Sequence, residues 1–139
     1  MMTVDFKRLD IQDGDRVLDL GCGEGRHSIN AWLLYKDIEV VGVDLSENDL
    51  RTAQSRYREF AEEAGSEDNN SQLTFFCADG LSLPFADSSF DKIICSEVLE
   101  HIPDYHGFLA EINRLLKDDG LLAVSVPRRW PEKICWHLS

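Results

Sequence analysis

Residues 17–27 read VLDLGCGEGRH. An apolar, β-type run (Val17, Leu18, Leu20) carries one acid, Asp19, and leads into glycines at alternate positions, Gly21, Gly23 and Gly25, before helix-forming sequence resumes. The pattern is strand, tight loop, helix. Glycine lets a backbone take φ > 0 and lets a ligand approach the main chain, while the unpaired N–H groups opening the next helix attract polar or negative ligand groups. Such a loop is either a small-molecule cradle or a purely structural turn, and the rest of the chain has to decide between them.

The strand over 16–20 follows a mixed, polar stretch that turns at Asp13 and Gly14. After the glycines a helix is predicted over 25–35, with Ile29, Trp32 and Leu33 on its apolar face. Residues 38–45, IEVVGVDL, form an unbroken apolar run closed by Asp44, as in a strand buried on both faces of a parallel sheet. Ser46 caps a helix running to residue 64, with Glu47 and Asp49 in its first turn. Its core stripe is Leu50, Ala53, Tyr57, Phe60 and Ala61, and its solvated face Arg51, Arg56, Arg58, Glu59, Glu62 and Glu63.

A polar loop over 65–72 precedes a third strand over 73–77, then Ala78, Asp79 and Gly80. The connection LSLPFADSS is irregular at Pro84 and leads to a fourth strand over 90–96. A short helix over 97–102 stops at Pro103, and Asp104 caps a helix with Phe108, Leu109, Ile112, Leu115 and Leu116 as its stripe and Gly120 as its end. A fifth strand covers 121–126. Trp130, Ile134 and Leu138 recur at four-residue steps, so the tail 127–139 is expected to be an amphipathic helix.

This alternation specifies an α/β, Rossmann-like parallel sheet with helices on both faces, in a single domain over 1–139. Right-handed crossovers put the ligand crevice at the carboxyl ends of the strands. Asp19 to Gly25, Asp44, Asp79 and the stretch Ser96 to His101 all lie at or just past such ends. Composition narrows the ligand. A net charge of −12 over 139 residues opposes nucleic-acid binding, which draws on clustered Lys and Arg. Cys22, Cys77, Cys95 and Cys135 have no metal-site spacing, so no metal is expected and the thiols read as buried in a reducing cytoplasm. No apolar run approaches a membrane span.

Dinucleotides and S-adenosylmethionine are the two ligand classes for such a crevice. Dinucleotide loops follow G-x-G-x-x-G, whereas this one follows G-x-G-x-G. Asp19 so near the loop disfavours a pyrophosphate and suits a ligand with an ammonium and a sulfonium. An acid at Asp44 can accept ribose hydroxyls from either class, although Asp44 and Asp79 also suit helix and turn caps.

Four segments in order, VLDLGCGEGRH, VVGVDLS, CADGLSLPFADSSFD and ICSEVLEHIPD, resemble the class I S-adenosylmethionine-dependent methyltransferases, of the small-molecule type with an LDLGCG loop. The resemblance implies that Asp19 and the backbone of Gly21, Cys22, Gly23 and Gly25 hold the methionine part. It implies Asp44 on the ribose, Leu45 on an adenine face, Asp79 and Gly80 on the adenine edge, and Ser96 near the transferred methyl. His101, beside Glu97 and Glu100 at the crevice mouth, is the candidate base for an acceptor that must lose a proton. Members of the family usually have seven strands, the last two a hairpin, so this chain is expected to be a truncated version lacking that hairpin. Its fifth strand would then be an open edge, available to a second copy together with the tail. The function implied is methyl transfer to a small-molecule acceptor. The alternatives are a cofactor-binding module or fragment with little turnover and, against the loop spacing and Asp19, a nicotinamide-dependent oxidoreductase.

Overall fold

The computed structural model describes residues 4–64, 68–96 and 98–125. Five strands, β1 (Arg16–Leu20), β2 (Glu39–Asp44), β3 (Gln72–Cys77), β4 (Phe90–Ser96) and β5 (Leu116–Ser125), make one parallel sheet in the order β3-β2-β1-β4-β5. Helices α1 (Phe6–Leu9), α2 (Arg26–Leu34), α3 (Glu47–Ala64) and α4 (Tyr105–Leu115) and a single 3-10 turn, Leu99–His101, complete the described elements. Alternation along the strands divides the apolar residues between two cores. Val17, Val40 and Ile94 pack with Ile29, Trp32 and α1 on one face, and Leu18, Leu20, Val41, Val43 and Ile93 pack with Phe108, Ile112 and Leu115 on the other. Burial on both faces is why the strands read as continuous apolar runs. No helix among the described residues is long and apolar enough to cross a membrane.

The expected caps form. Ser46 Oγ accepts from the Asp49 N–H at 3.2 Å, and Asp104 Oδ1 from the Gly107 N–H at 3.0 Å. At the amino ends of the strands, Lys92 pairs with Asp15 at 3.2 Å, and the Arg16 guanidinium lies 4.4 Å from the Phe90 ring centre and 3.3 Å from Glu39. These contacts are remote from the crevice and hold the sheet. On the opposite core face, Arg114 of α4 fastens the loop after β3. It donates to the carbonyls of Leu83 (3.1 Å) and Phe85 (2.8 Å), to Asp87 (2.8 Å) and to Glu111 (2.6 Å). Glu111 in turn accepts from the Leu83 N–H at 2.6 Å.

Several expectations need correction. Helix α1 is not legible in the polar N-terminal stretch, yet Val4, Phe6, Leu9 and Ile11 are buried, with Asp5 accepting from the Lys7 N–H as its cap. Four residues are too few for a periodic signal, and burial alone creates the element. Gly120 does not end α4, which stops at Leu115. It lies inside β5, in a bulge where Phe90 pairs with Leu116 but Lys92 with Leu121. A β-carbon at Gly120 would come within 2.6 Å of Leu116 and 3.0 Å of the Asp91 carbonyl. Leu33 and Phe60 are exposed rather than core, and Cys77 is an exposed thiol while Cys22 and Cys95 are buried. Of the short helix expected over 97–102, the described residues 98–102 hold the turn Leu99–His101. Glu97, Val126, Cys135 and the tail 127–139 lie outside the described residues.

Candidate cofactor and active site

Strand order reverses at β1, with β2 and β3 on one side and β4 and β5 on the other. The connections leaving β1 and β4 therefore diverge and open a crevice at their carboxyl ends. The loop after β1 is tied to β2 by bonds from the Gly21 (2.8 Å) and Cys22 (2.9 Å) N–H groups to the Val43 carbonyl. Gly21 takes φ +74°, and a β-carbon there would run into Val98, so conformation and space both demand glycine. Asp44 closes the connection. Its Oδ2 accepts from the Gly23 N–H and its Oδ1 from the Ser46 N–H, each at 2.8 Å. Each oxygen retains a further acceptor site.

These groups line a cavity of about 390 Å³. Leu20 and Gly21 supply one wall, Val43, Asp44 and Leu45 a second, and Ala78, Asp79 and Gly80 a third. Ser96, Val98, His101, Ile102 and Phe108 close it from the β4 side. Gly80 must be small because a β-carbon would strike the Phe108 ring. Asp79 Oδ1 accepts from the Leu81 N–H at 2.9 Å, which turns the chain sharply at the cavity floor. Leu45, 67% exposed, presents an apolar side chain at the rim. A second lobe of about 270 Å³ shares Gly21 and Ser96 with the first and is otherwise walled by Cys22, Gly23, Glu24, Arg26, His27 and Arg56.

The sequence matches a family described as a methyltransferase domain over residues 11–138. The chain belongs to the class I S-adenosylmethionine-dependent methyltransferases. This methyltransferase-family chain is 38% identical over 121 residues to the methyltransferase GfsG of Streptomyces halstedii, covering 86% of the chain and 40% of that protein. It is 34% identical over 116 residues to the 27-O-demethylrifamycin SV methyltransferase of Amycolatopsis mediterranei, covering 84% and 40% respectively. With the demethylmenaquinone methyltransferase of Staphylococcus saprophyticus the identity is 32% over 140 residues, covering 96% and 54%. The chain thus spans about half the length, or less, of these relatives. Among solved structures, the YcgJ protein of Bacillus subtilis superposes with TM-score 0.70 at 32% identity, covering 85% of this chain and 46% of that one. The cyclase SpnF superposes with TM-score 0.72 at 29% identity, covering 85% and 40%.

Within this methyltransferase-family fold, Gly21, Asp44, Leu45, Asp79, Gly80, Ser96 and His101 meet at the first lobe, while Cys22 and Gly23 line the second. Two expected contacts are set back from both. Gly25 is buried where it opens α2, and a β-carbon there would stand 3.0 Å from that of Ala53 and 3.2 Å from the Phe75 ring. Asp19 is 2% exposed beneath the loop, because strand alternation turns it to the α2 side with Val17; its carboxylate accepts from Ser28 Oγ at 2.6 Å. Burial raises the Asp19 carboxyl to about 6, against the lowering effect of its Ser28 hydrogen bonds and with a smaller push from the Asp44 charge. Burial likewise drives the Cys22 thiol well above its ordinary value and the Cys95 thiol up to about 12. Both stay protonated at neutral pH and are poor nucleophiles.

His101 is exposed at the cavity mouth, with Nε2 3.6 Å from Glu100 Oε1. In the sequence, Phe108 signals only helix packing, and Val98 and Ile102 carry no signal of the apolar wall they form with it. Periodicity assigns Arg56 to a solvated face. Its place at the second lobe depends on how α3 packs beside the glycine loop, and helical spacing holds no information on that.

Proposed function

We propose that this chain binds S-adenosylmethionine across the two lobes and transfers its methyl group to a small-molecule acceptor. One observation carries the reading: an acid at the end of β2, an exposed apolar side chain beside it, and the Asp79 to Gly80 turn share one cavity with the glycine loop. That donor set fits a nucleoside. Asp44 accepts from the ribose hydroxyls with its remaining lone pairs while still holding the Gly23 and Ser46 N–H groups. Leu45 covers an adenine face, and Asp79 with Gly80 receives the adenine edge. Gly21 keeps the main chain low enough for the methionine part to pass, and Ser96 lines both lobes.

The bound cofactor supplies an electrophilic methyl group on a sulfonium, so the protein's task is alignment and exclusion of water. Val98, Ile102 and Phe108 provide the dry wall. His101 accepts the proton of a hydroxyl acceptor at the mouth. A small, largely apolar acceptor is supported by these walls and by relatives whose names specify a rifamycin and a menaquinone precursor. A second reading, cofactor binding without methyl transfer, is favoured by the likeness to a cyclase, since fold alone does not determine chemistry. The free thiols of Cys22, Cys77 and Cys95 support a cytoplasmic protein. Among the described residues β5 is the last strand of the sheet and Leu121 is exposed, which supports pairing of two copies there; sedimentation equilibrium tests it.

Calorimetric titration with S-adenosylmethionine and with NADH tests the cofactor. We expect binding of the first, weakened by about 1–3 kcal/mol in Asp44→Ala; NADH binding in its place, or an unchanged affinity in the variant, overturns the assignment. Release of S-adenosylhomocysteine on incubation with hydroxylated polyketides and quinols tests turnover. His101→Ala should slow that release by far more than it weakens cofactor binding. Cofactor binding with no release in any mixture selects the second reading.

A further inference from the structure

We infer that Arg114 and Glu111 are positioning residues for the cavity wall that reads the base, an assignment that rests on the cofactor reading above. That wall is the Asp79 to Gly80 turn, and its own bonds are short-range. The Leu81 N–H reaches Asp79 Oδ1 at 2.9 Å, and the Ser82 N–H reaches the Asp79 carbonyl at 3.0 Å. Bonds of this kind fix the shape of a turn but not its place in the fold. Its place is set by one attachment on either side. Before the turn, the Ala78 N–H donates to the Asp44 carbonyl at 3.1 Å, on the ribose side of the cavity. After it, α4 holds Leu83 by both main-chain groups: the N–H donates to Glu111 Oε2 at 2.6 Å, and the carbonyl accepts from Arg114 Nη2 at 3.1 Å.

The second attachment engages every donor of its guanidinium. Arg114 Nε and Nη2 bond the two Glu111 oxygens at 2.6 and 3.1 Å, and Nη2 also bonds the Leu83 carbonyl. Nη1 bonds the Phe85 carbonyl and Asp87 Oδ1, each at 2.8 Å, so all N–H groups of the side chain are used. A loop without regular structure thereby finds, in two side chains, the partners that a sheet ladder would give its main chain. Phe108, Glu111 and Arg114 recur at three-residue steps along α4, so each is the next one's neighbour on the helix surface. The Phe108 ring leaves no room for a β-carbon at Gly80. One helix thus meets the turn at Gly80 and anchors the chain again at Leu83. Released from Arg114 and Glu111, the turn would keep its internal bonds and swing about its tie to Asp44, carrying the Asp79 carboxylate with it. Contacts to the base edge would be lost, while those of the ribose with Asp44 would change little.

The test compares S-adenosylhomocysteine with its 6-deamino analogue, whose purine lacks the amino group at the base edge. Both are titrated into the unaltered chain, Arg114→Gln, Arg114→Lys and Glu111→Gln, at a temperature where circular dichroism shows each to be folded. Asp15→Asn, which weakens the pair with Lys92 at the opposite end of the sheet, serves as a destabilised control. The unaltered chain should prefer S-adenosylhomocysteine by about tenfold or more, the effect of one hydrogen bond to a charged acceptor. Arg114→Gln and Glu111→Gln should reduce that preference to less than about threefold, with Arg114→Lys, which has fewer donors, between. Asp15→Asn should keep the full preference at a lower melting temperature. A latch that only supports the fold lowers the melting temperature and leaves the preference unchanged; that result, in whichever latch variants fold, overturns the inference. Equal loss of preference in Asp15→Asn overturns it too, since any loosening would then suffice. If the unaltered chain binds both ligands equally, the inference falls while the cofactor reading stands. If it binds neither, both fall.

Discussion

Replacing Asp19 by Asn should make the ligand-free chain more stable at neutral pH, and the gain should grow with pH. The carboxyl is 2% exposed and its one side-chain partner is Ser28 Oγ at 2.6 Å. It titrates at about 6 in the fold against an ordinary 3.8, chiefly because burial penalises the charged form. Between those two values the folded chain holds a proton that the unfolded chain has released. The contribution of the protonated group is therefore complete below pH 3.8 and is lost as pH rises through about 6. Roughly two pH units at about 1.4 kcal/mol each give a penalty of about 3 kcal/mol at pH 7.5 and above. Asparagine has the same shape, keeps an oxygen for the Ser28 hydroxyl and carries no charge to desolvate. Urea unfolding followed by tryptophan fluorescence from pH 4 to 8 measures the difference. The two proteins should be close near pH 4, with the variant ahead by up to about 3 kcal/mol at pH 7.5. A difference that does not change with pH, or a variant less stable at pH 7.5, would refute the reasoning. If the carboxylate serves the positively charged end of the cofactor, the more stable variant should also bind S-adenosylmethionine more weakly, as expected where function retains a destabilising charge.

The opposite sign is expected at Glu111, whose carboxyl is held below its ordinary range first by the Arg114 hydrogen bond, with the Leu83 N–H adding to it. Its contribution is present above pH 4.5 and lost as pH falls through the lowered folded value, so Glu111→Gln should cost about 1–2 kcal/mol at pH 7 and progressively less in acid, by the same unfolding assay. Gly80→Ala drives a β-carbon into Phe108, itself 2% exposed, and should cost about 1–3 kcal/mol in stability. It should also weaken adenosine-containing ligands by narrowing the cavity; a melting temperature and affinity equal to those of the unaltered chain would show that the ring yields freely.

Much of this fold is legible residue by residue because the decisive information is local. Unbroken apolar runs closing on Asp44 and on Ser96 mark strands buried on both faces, whatever packs against them. Alternate glycines after Asp19 require a loop that only glycine can follow, and capping by Ser46 and Asp104 is a matter of a few adjacent atoms. Those features are enough to place Gly21, Asp44, Leu45, Asp79, Gly80, Ser96 and His101 at one end of a parallel sheet. Contacts between residues distant in sequence are not legible. The order β3-β2-β1-β4-β5, the apolar wall made by Val98, Ile102 and Phe108, and the packing of α1 all depend on which surfaces meet, as does the position of Gly120 against Leu116. The opening stretch VLDLGCGEGRH divides in the same way. Its sequence determined a strand, a glycine loop and a helix, because backbone sterics and hydrophobic period act over neighbouring residues. Tertiary structure alone decided that Asp19 lies sealed against Ser28 while Arg56, from another helix, reaches the loop, because burial and the fields of remote charges exist only once the chain has folded.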